Sequence, residues 1–158
     1  SYLYLAVKVT DDLYVQNSSG ATIYKGDDVE LQLDTNLGMD FTVSSMNNDD
    51  YQLGISAGKG SINGVKEAYL WLPQIIKGSV TNQVVIVSQG GTGVHYVETR
   101  IPWNLFGLSP FEGMRVGFAL ALSDNDNPAV NAWQTMVSNT PGRKTLNPTT
   151  WGELVLTM

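Results

Sequence analysis

Alternation of apolar and polar residues governs two separate stretches near the start of the chain. In Tyr2 to Val9, Leu3, Leu5, Val7 and Val9 share one side; in Asp28 to Thr35, Val29, Leu31 and Leu33 oppose Glu30, Gln32 and Asp34. A period of two gives a strand one apolar and one polar face, whereas the same spacing wrapped at 3.6 residues per turn would scatter the apolar groups around a helix. Further strands are predicted at Phe41 to Ser45, Tyr51 to Ala57, Lys66 to Leu72, Gln83 to Gln89, Val94 to Ile101, Arg115 to Ser123, Trp133 to Val137 and Gly152 to Leu156. Turn-forming clusters separate them: Asn47-Asn-Asp-Asp50, Ile62-Asn-Gly64 and Gly90-Gly-Thr-Gly93. Only Pro102 to Leu108 reads as briefly helical, with Pro at its first position and Gly107 as its stop. Short strands at this spacing predict an all-β fold, a two-sheet antiparallel β-sandwich of jelly-roll type.

With 158 residues the chain suits one domain, residues 1–158, with a sizeable core. Charged residues make up 15%, below the roughly 25% usual for soluble domains. Asn, Thr, Ser and Gly fill the difference, which fits a secreted, turn-rich β protein. Cysteine is absent, so neither a disulfide framework nor thiol chemistry is available. A net charge of −6 with nine scattered Lys and Arg excludes the clustered cations that nucleic acid or an anionic membrane surface requires. No window approaches the roughly 18 apolar residues of a membrane span.

Acidic residues concentrate at strand ends, in Asp11-Asp12, Asp27-Asp28, Asp49-Asp50 and Asp124-Asn-Asp126. Short carboxylates converging there suit a hard cation such as Ca²⁺, which takes six to eight oxygens; the same residues also form turns without any metal. Asp11, Asp12, Asp34, Asp49 and Asp50 are the leading candidate ligands. A glycosidase needs two carboxylates across a cleft, and the spacing places no such pair. His95, the single histidine, stands mid-strand beside Tyr96 with no nucleophile at a recognisable distance in sequence. Gly90 to Gly93 joins two strands and lacks the Lys and following helix of a phosphate loop.

Aromatic rings are the remaining lever, because sugars present C–H faces that stack on flat side chains while their hydroxyls meet a few polar groups. Trp103 and Trp133 sit in apolar runs and are expected in the core. Trp71 fits either the core or a partly exposed sheet face. Tyr24, alone among polar and flexible residues, is the candidate stacking platform.

The stretch Tyr2 to Asp34, with Tyr24 three residues before Asp27-Asp-Val-Glu30, resembles the front half of a family 9 carbohydrate-binding module, a DOMON-like β-sandwich. The resemblance continues through Tyr96-Val-Glu-Thr-Arg-Ile-Pro-Trp103, Gly117 to Asp126 and Trp151-Gly-Glu-Leu-Val-Leu156. It implies a non-catalytic module that binds glycan or polysaccharide, carries structural calcium at acidic loops, and belongs to a larger secreted or cell-surface protein. Family members clamp the sugar between two tryptophans, aided by an acidic residue and by Arg and Asn on a neighbouring strand. Carried over, the first tryptophan falls on Tyr24 and the acid on Glu30. The Arg and Asn positions fall on Gly54 and Ser56 in the strand that also holds Gln52, and the second tryptophan falls near Thr145. Arg143 or Lys144, in the long Asn139 to Thr150 loop, are placed to replace the missing donors. The family's extra N-terminal strand would precede Tyr2, so the resemblance implies either that this strand is supplied elsewhere or that Tyr2 to Val9 is an open edge through which the chain self-associates. The rival reading is a structural or assembly sandwich that no longer binds sugar. Haem binding, known from DOMON-type relatives, would need a Met partner for His95, and no Met has an evident one.

Overall fold

The computed structural model describes residues 1–157, the side chain of Asp40 excepted. Ten strands form it: β1 (Tyr2–Thr10), β2 (Asp28–Asp34), β3 (Asp50–Ser56), β4 (Glu67–Leu72), β5 (Gly78–Ser79), β6 (Val85–Gly91), β7 (Val94–Pro102), β8 (Arg115–Asp124), β9 (Thr135–Ser138) and β10 (Gly152–Val155). They build two antiparallel sheets, a small one in the order β1-β7-β6 and a large one in the order β10-β8-β2-β3-β4-β5. Strands β9 and β10 follow one another along the same edge of β8.

Alternation places Val29, Leu31 and Leu33 of β2, Leu53 and Ile55 of β3, and Ala68 and Leu70 of β4 between the sheets. Val97 and Ile101 of β7 meet them from the small sheet, with Leu3, Leu5 and Val7 of β1 packed alongside. Each such Val, Leu or Ile contributes about 1.5–3 kcal/mol by leaving water. Trp103, Leu105 and Phe106 close one end from a 3-10 turn, Trp103–Phe106, which stops at Gly107 in the left-handed region (φ 65°) where a Cβ would be strained.

The sequence-based strands match these elements with two exceptions. Phe41 to Ser45 alternates but forms no strand: β2 pairs directly with β3 up to Asp34 opposite Asp50, so the connection lies outside the ladder, and Phe41 is 85% exposed. The two-residue β5, paired to Tyr69 and Leu70, has no period to reveal it. Trp133, expected in the core, is 45% exposed, because it precedes β9 at the sheet margin rather than lying between the sheets. Trp103 is buried as expected. The Gly90 to Gly93 cluster is the β6–β7 hairpin, and β1 ends the small sheet, with no strand on its outer side among the described residues.

The outer face of the large sheet departs from the usual sandwich. Asp28, Glu30, Gln32 and Asp34 point away from the core, yet all four are buried. Two segments lie on this face: a 3-10 turn, Gly20–Lys25, packed on β2, β3 and β4, and the loop from Asn139 to Thr150, bonded to Gln32. Buried polar groups persist only when hydrogen-bonded, and the partners are Ser123 for Asp28, Gln52 for Glu30, Thr145 and Arg143 for Gln32, and the Asn36 N–H for Asp34.

Candidate functional site

The floor of the site is built by register. Glu30 lies between Gly54 and Ala121, and Gln32 between Gln52 and Ala119, so three long polar side chains stand together with small residues at the other three positions. Gln52 donates from Nε2 to Glu30 Oε2 at 3.2 Å. Arg143, half-buried in the long loop, donates to Gln32 Oε1, and Gln32 donates from Nε2 to the Thr145 carbonyl at 2.9 Å. Burial pushes the Glu30 carboxyl up, and the Arg143 charge and the Gln52 hydrogen bond oppose that rise. The Arg143 guanidinium is in turn lowered by burial and held up by Glu30.

The opposite wall comes from the Gly20–Lys25 turn and β4. Ile23, fully buried, anchors the turn on the sheet. Glu67 accepts the Gly20 N–H at 2.7 Å, and Trp71 Nε1 donates to the Ala21 carbonyl at 2.9 Å. Register slips between Gln52 and Leu53, leaving Trp71 as the extra residue of β4. Bulges of this kind re-aim a side chain. The far edge of the indole lies over Gly54, where an added Cβ would stand 2.2 Å from Cη2. Tyr24 meets Trp71 at 6.0 Å between centroids and 73° between planes, and Tyr69 meets it at 5.9 Å and 51°. The result is an outer face that carries partly exposed aromatic rings, a half-buried guanidinium, and a carboxylate and two amides that are buried.

Of the residues singled out from sequence, Tyr24, Glu30, Gln52 and Arg143 gather here, and Thr145 contributes its backbone carbonyl. Ser56 lies two residues beyond Gly54, 1% exposed, in the row of Asp28 and Glu67, outside this group. Gln32, Trp71 and Gly54 complete the site. Parity along β2 puts Gln32 beside Glu30; Trp71, open between core and sheet face from sequence, lies with Tyr69 on the outer face, aimed by the bulge.

The acidic residues separate into two groups at opposite ends of β2. Carboxylate oxygens of Asp34, Asp49 and Asp50 lie within 4.8 Å of one another, as do those of Asp11, Asp124 and Asp126. Asp12 is in neither group. Oxygens that all lie within that distance can share one cation bound at 2.3–2.6 Å, so both donor sets fit Ca²⁺. Next to the second group, a cavity of about 270 Å³ opens between the sheets, lined by five aspartates and by His95 but by no Tyr or Trp. It offers oxygens to a cation rather than a face to a sugar. His95 itself is buried, edge-on to Tyr14 at 5.3 Å, and its imidazole is lowered by burial against the opposing pull of Asp11.

Comparison with known proteins follows the same geometry. Residues 1–158 match the family described as "Carbohydrate family 9 binding domain-like". A family 9 carbohydrate-binding module from Caldicellulosiruptor kristjanssonii, solved with cellotriose, is 23% identical with a TM-score of 0.69, over 99% of this chain and 69% of that one. The same organism's module solved with glucose is 23% identical with a TM-score of 0.70, over 99% and 71%. A proposed carbohydrate-binding protein from Bacteroides uniformis ATCC 8492 is 11% identical with a TM-score of 0.56, over 98% and 72%. No curated protein matches the chain.

Proposed function

The chain belongs to the carbohydrate family 9 binding domain-like family and is a carbohydrate-binding β-sandwich module, and we propose that it binds glucose-based oligosaccharides on the outer face between Tyr24 and Arg143. The observation that carries this reading is the partly exposed ring pair Tyr24–Trp71, whose indole lies over Gly54, the residue paired with Glu30. Aromatic rings take the C–H face of a pyranose, Glu30 and Gln52 accept or donate to its hydroxyls, and Arg143 supplies the charged donor that Gly54 and Ser56 cannot. Two similar folds were solved with cellotriose and with glucose, which supports the same ligand class here.

The module binds rather than cleaves. Hydrolysis needs a second carboxylate facing the scissile bond, and Asp28, the acid next to Glu30 on the same face of β2, is buried against Ser123. Calcium, held chiefly by Asp34, Asp49 and Asp50 and also by Asp11 with Asp124 and Asp126, stabilises the loops at both rims. The module works outside the cell or at its surface, as part of a larger secreted protein. The open edge of β1 favours a second role in which copies associate strand to strand.

Titration calorimetry with glucose and cello-oligosaccharides tests the main reading. High micromolar to millimolar affinity is expected, with Tyr24→Ala lowering it about tenfold or more and leaving the melting temperature unchanged. No heat with any plant or bacterial glycan would leave the assembly role as the better account.

A further inference from the structure

We propose that Trp71 and Tyr24 form an open aromatic corner that stacks a pyranose unit in the interior of a glucan chain, with Gly54 as the residue that positions Trp71. This deepens the carbohydrate-binding reading above and rests on it.

Two parallel rings cover both faces of a sugar and leave little room for the chain to continue. The planes of Tyr24 and Trp71 instead meet at 73°, so a sugar seated there has one face stacked and one edge touched. Its other face and its linkage directions stay open. Arg143 is tied to Gln32 and to the Met136 sulfur rather than to either ring. Tyr69, on the same face of β4 and 5.9 Å from Trp71, continues the aromatic surface beyond the corner, where a neighbouring sugar of the same chain would lie. All three rings are partly exposed.

Trp71 is held on three sides. Its Nε1 is fixed to the Ala21 carbonyl, its edge rests in the space left by the missing side chain of Gly54, and the bulge opposite Gln52 and Leu53 sets its direction. A methyl group at position 54 would stand 2.2 Å from Cη2 and 2.5 Å from Cζ3, so the indole must move. The glycine that removes a donor from β3 is thus the one that admits an aromatic wall from β4.

Calorimetry on the whole chain with glucose, cellohexaose, and cellohexaose reduced at its end to the alditol separates the alternatives. Interior binding predicts cellohexaose about tenfold or more tighter than glucose, with the reduced hexamer within about twofold of the unreduced one. Trp71→Ala should weaken binding about tenfold, Trp71→Phe should restore most of it, and Gly54→Ala should weaken the parent but add nothing to Trp71→Ala. Loss of binding on reduction, or glucose binding as tightly as the hexamer, would establish capture of chain ends and overturn the proposal. So would unchanged binding by Trp71→Ala when Tyr24→Ala has lost it. If the parent binds none of these sugars, the carbohydrate-binding reading falls, and this inference with it.

Discussion

Asp27 and Asn125, 98 residues apart in sequence, meet where the Asp27 carboxylate accepts the Asn125 backbone N–H at 2.7 Å. The other oxygen of Asp27 accepts the Val15 N–H, so one side chain joins the entry to β2, the segment before the Gly20–Lys25 turn and the loop after β8. Burial nonetheless outweighs both donors and raises the carboxyl from 3.8 to about 7. Between about pH 4 and 7 the folded chain therefore holds a proton that the unfolded chain has released. Stability should fall as pH rises through that window, by on the order of 1–2 kcal/mol after allowance for solvent screening. Asp28 and Glu30, also raised by burial, act in the same direction. Urea unfolding at pH 5 and pH 8 in EDTA should give the larger free energy at pH 5, and Asp27→Asn should flatten the difference. Equal or rising stability toward pH 8 would contradict the assignment.

Arg143 is the counter-charge of a buried acid, so its removal should do more than cost a sugar contact. Arg143→Ala should destabilise the fold by on the order of 1–3 kcal/mol, because Glu30 is left buried with only Gln52 as partner. Adding Glu30→Gln should recover part of that loss. A double-mutant cycle by chemical denaturation measures the coupling, and simple additivity would show the two charges to be independent.

Chelation probes the acidic rims. If Ca²⁺ binds only the folded state, stability rises with its concentration by about 2.7 kcal/mol at a hundredfold excess over Kd. EDTA should lower the melting temperature, and Asp50→Asn should shrink that drop by weakening the Asp34–Asp49–Asp50 group. Identical melting in EDTA and millimolar calcium would reduce these residues to turn formers.

The outer edge of β1 should make the isolated chain associate at high concentration, since unpaired backbone donors and acceptors on an alternating strand accept another strand. Sedimentation velocity across a wide concentration range reads this out. A single monomeric species throughout, together with slow amide exchange in Tyr2 to Val9, would count against it.

Much of the sandwich was legible because period two survives in β1, β2, β7 and β8, where one face is apolar. The neighbours of the ring pair were legible where residue chemistry and parity coincide: Tyr24 stands out as an aromatic in a polar loop, and Glu30 by its place opposite Val29 and Leu31. Trp71 was ambiguous because an isolated tryptophan among Tyr, Leu and Leu reads equally well as core. Its direction depends on a register slip against β3, a relation between strands that a single strand does not encode. Ser56 failed for the opposite reason. Its parity puts it on the outer face, but it is buried there beside Tyr14, and coverage is a property of segments distant in sequence. The aspartates show the same limit, since Asp11 finds Asp124 and Asp126 rather than its neighbour Asp12.

Ala119 and Ala121 flank the two longest polar side chains of the floor, and neither reaches beyond a single methyl group. The depth of the trough is therefore set on β8 by residues too short to touch anything lying in it. Both are buried, so a longer side chain at either would meet closely packed neighbours and cost on the order of 1–3 kcal/mol. The middle of β8 therefore admits only small residues where Glu30 and Gln32 stand, a limit of size that no polar contact reveals.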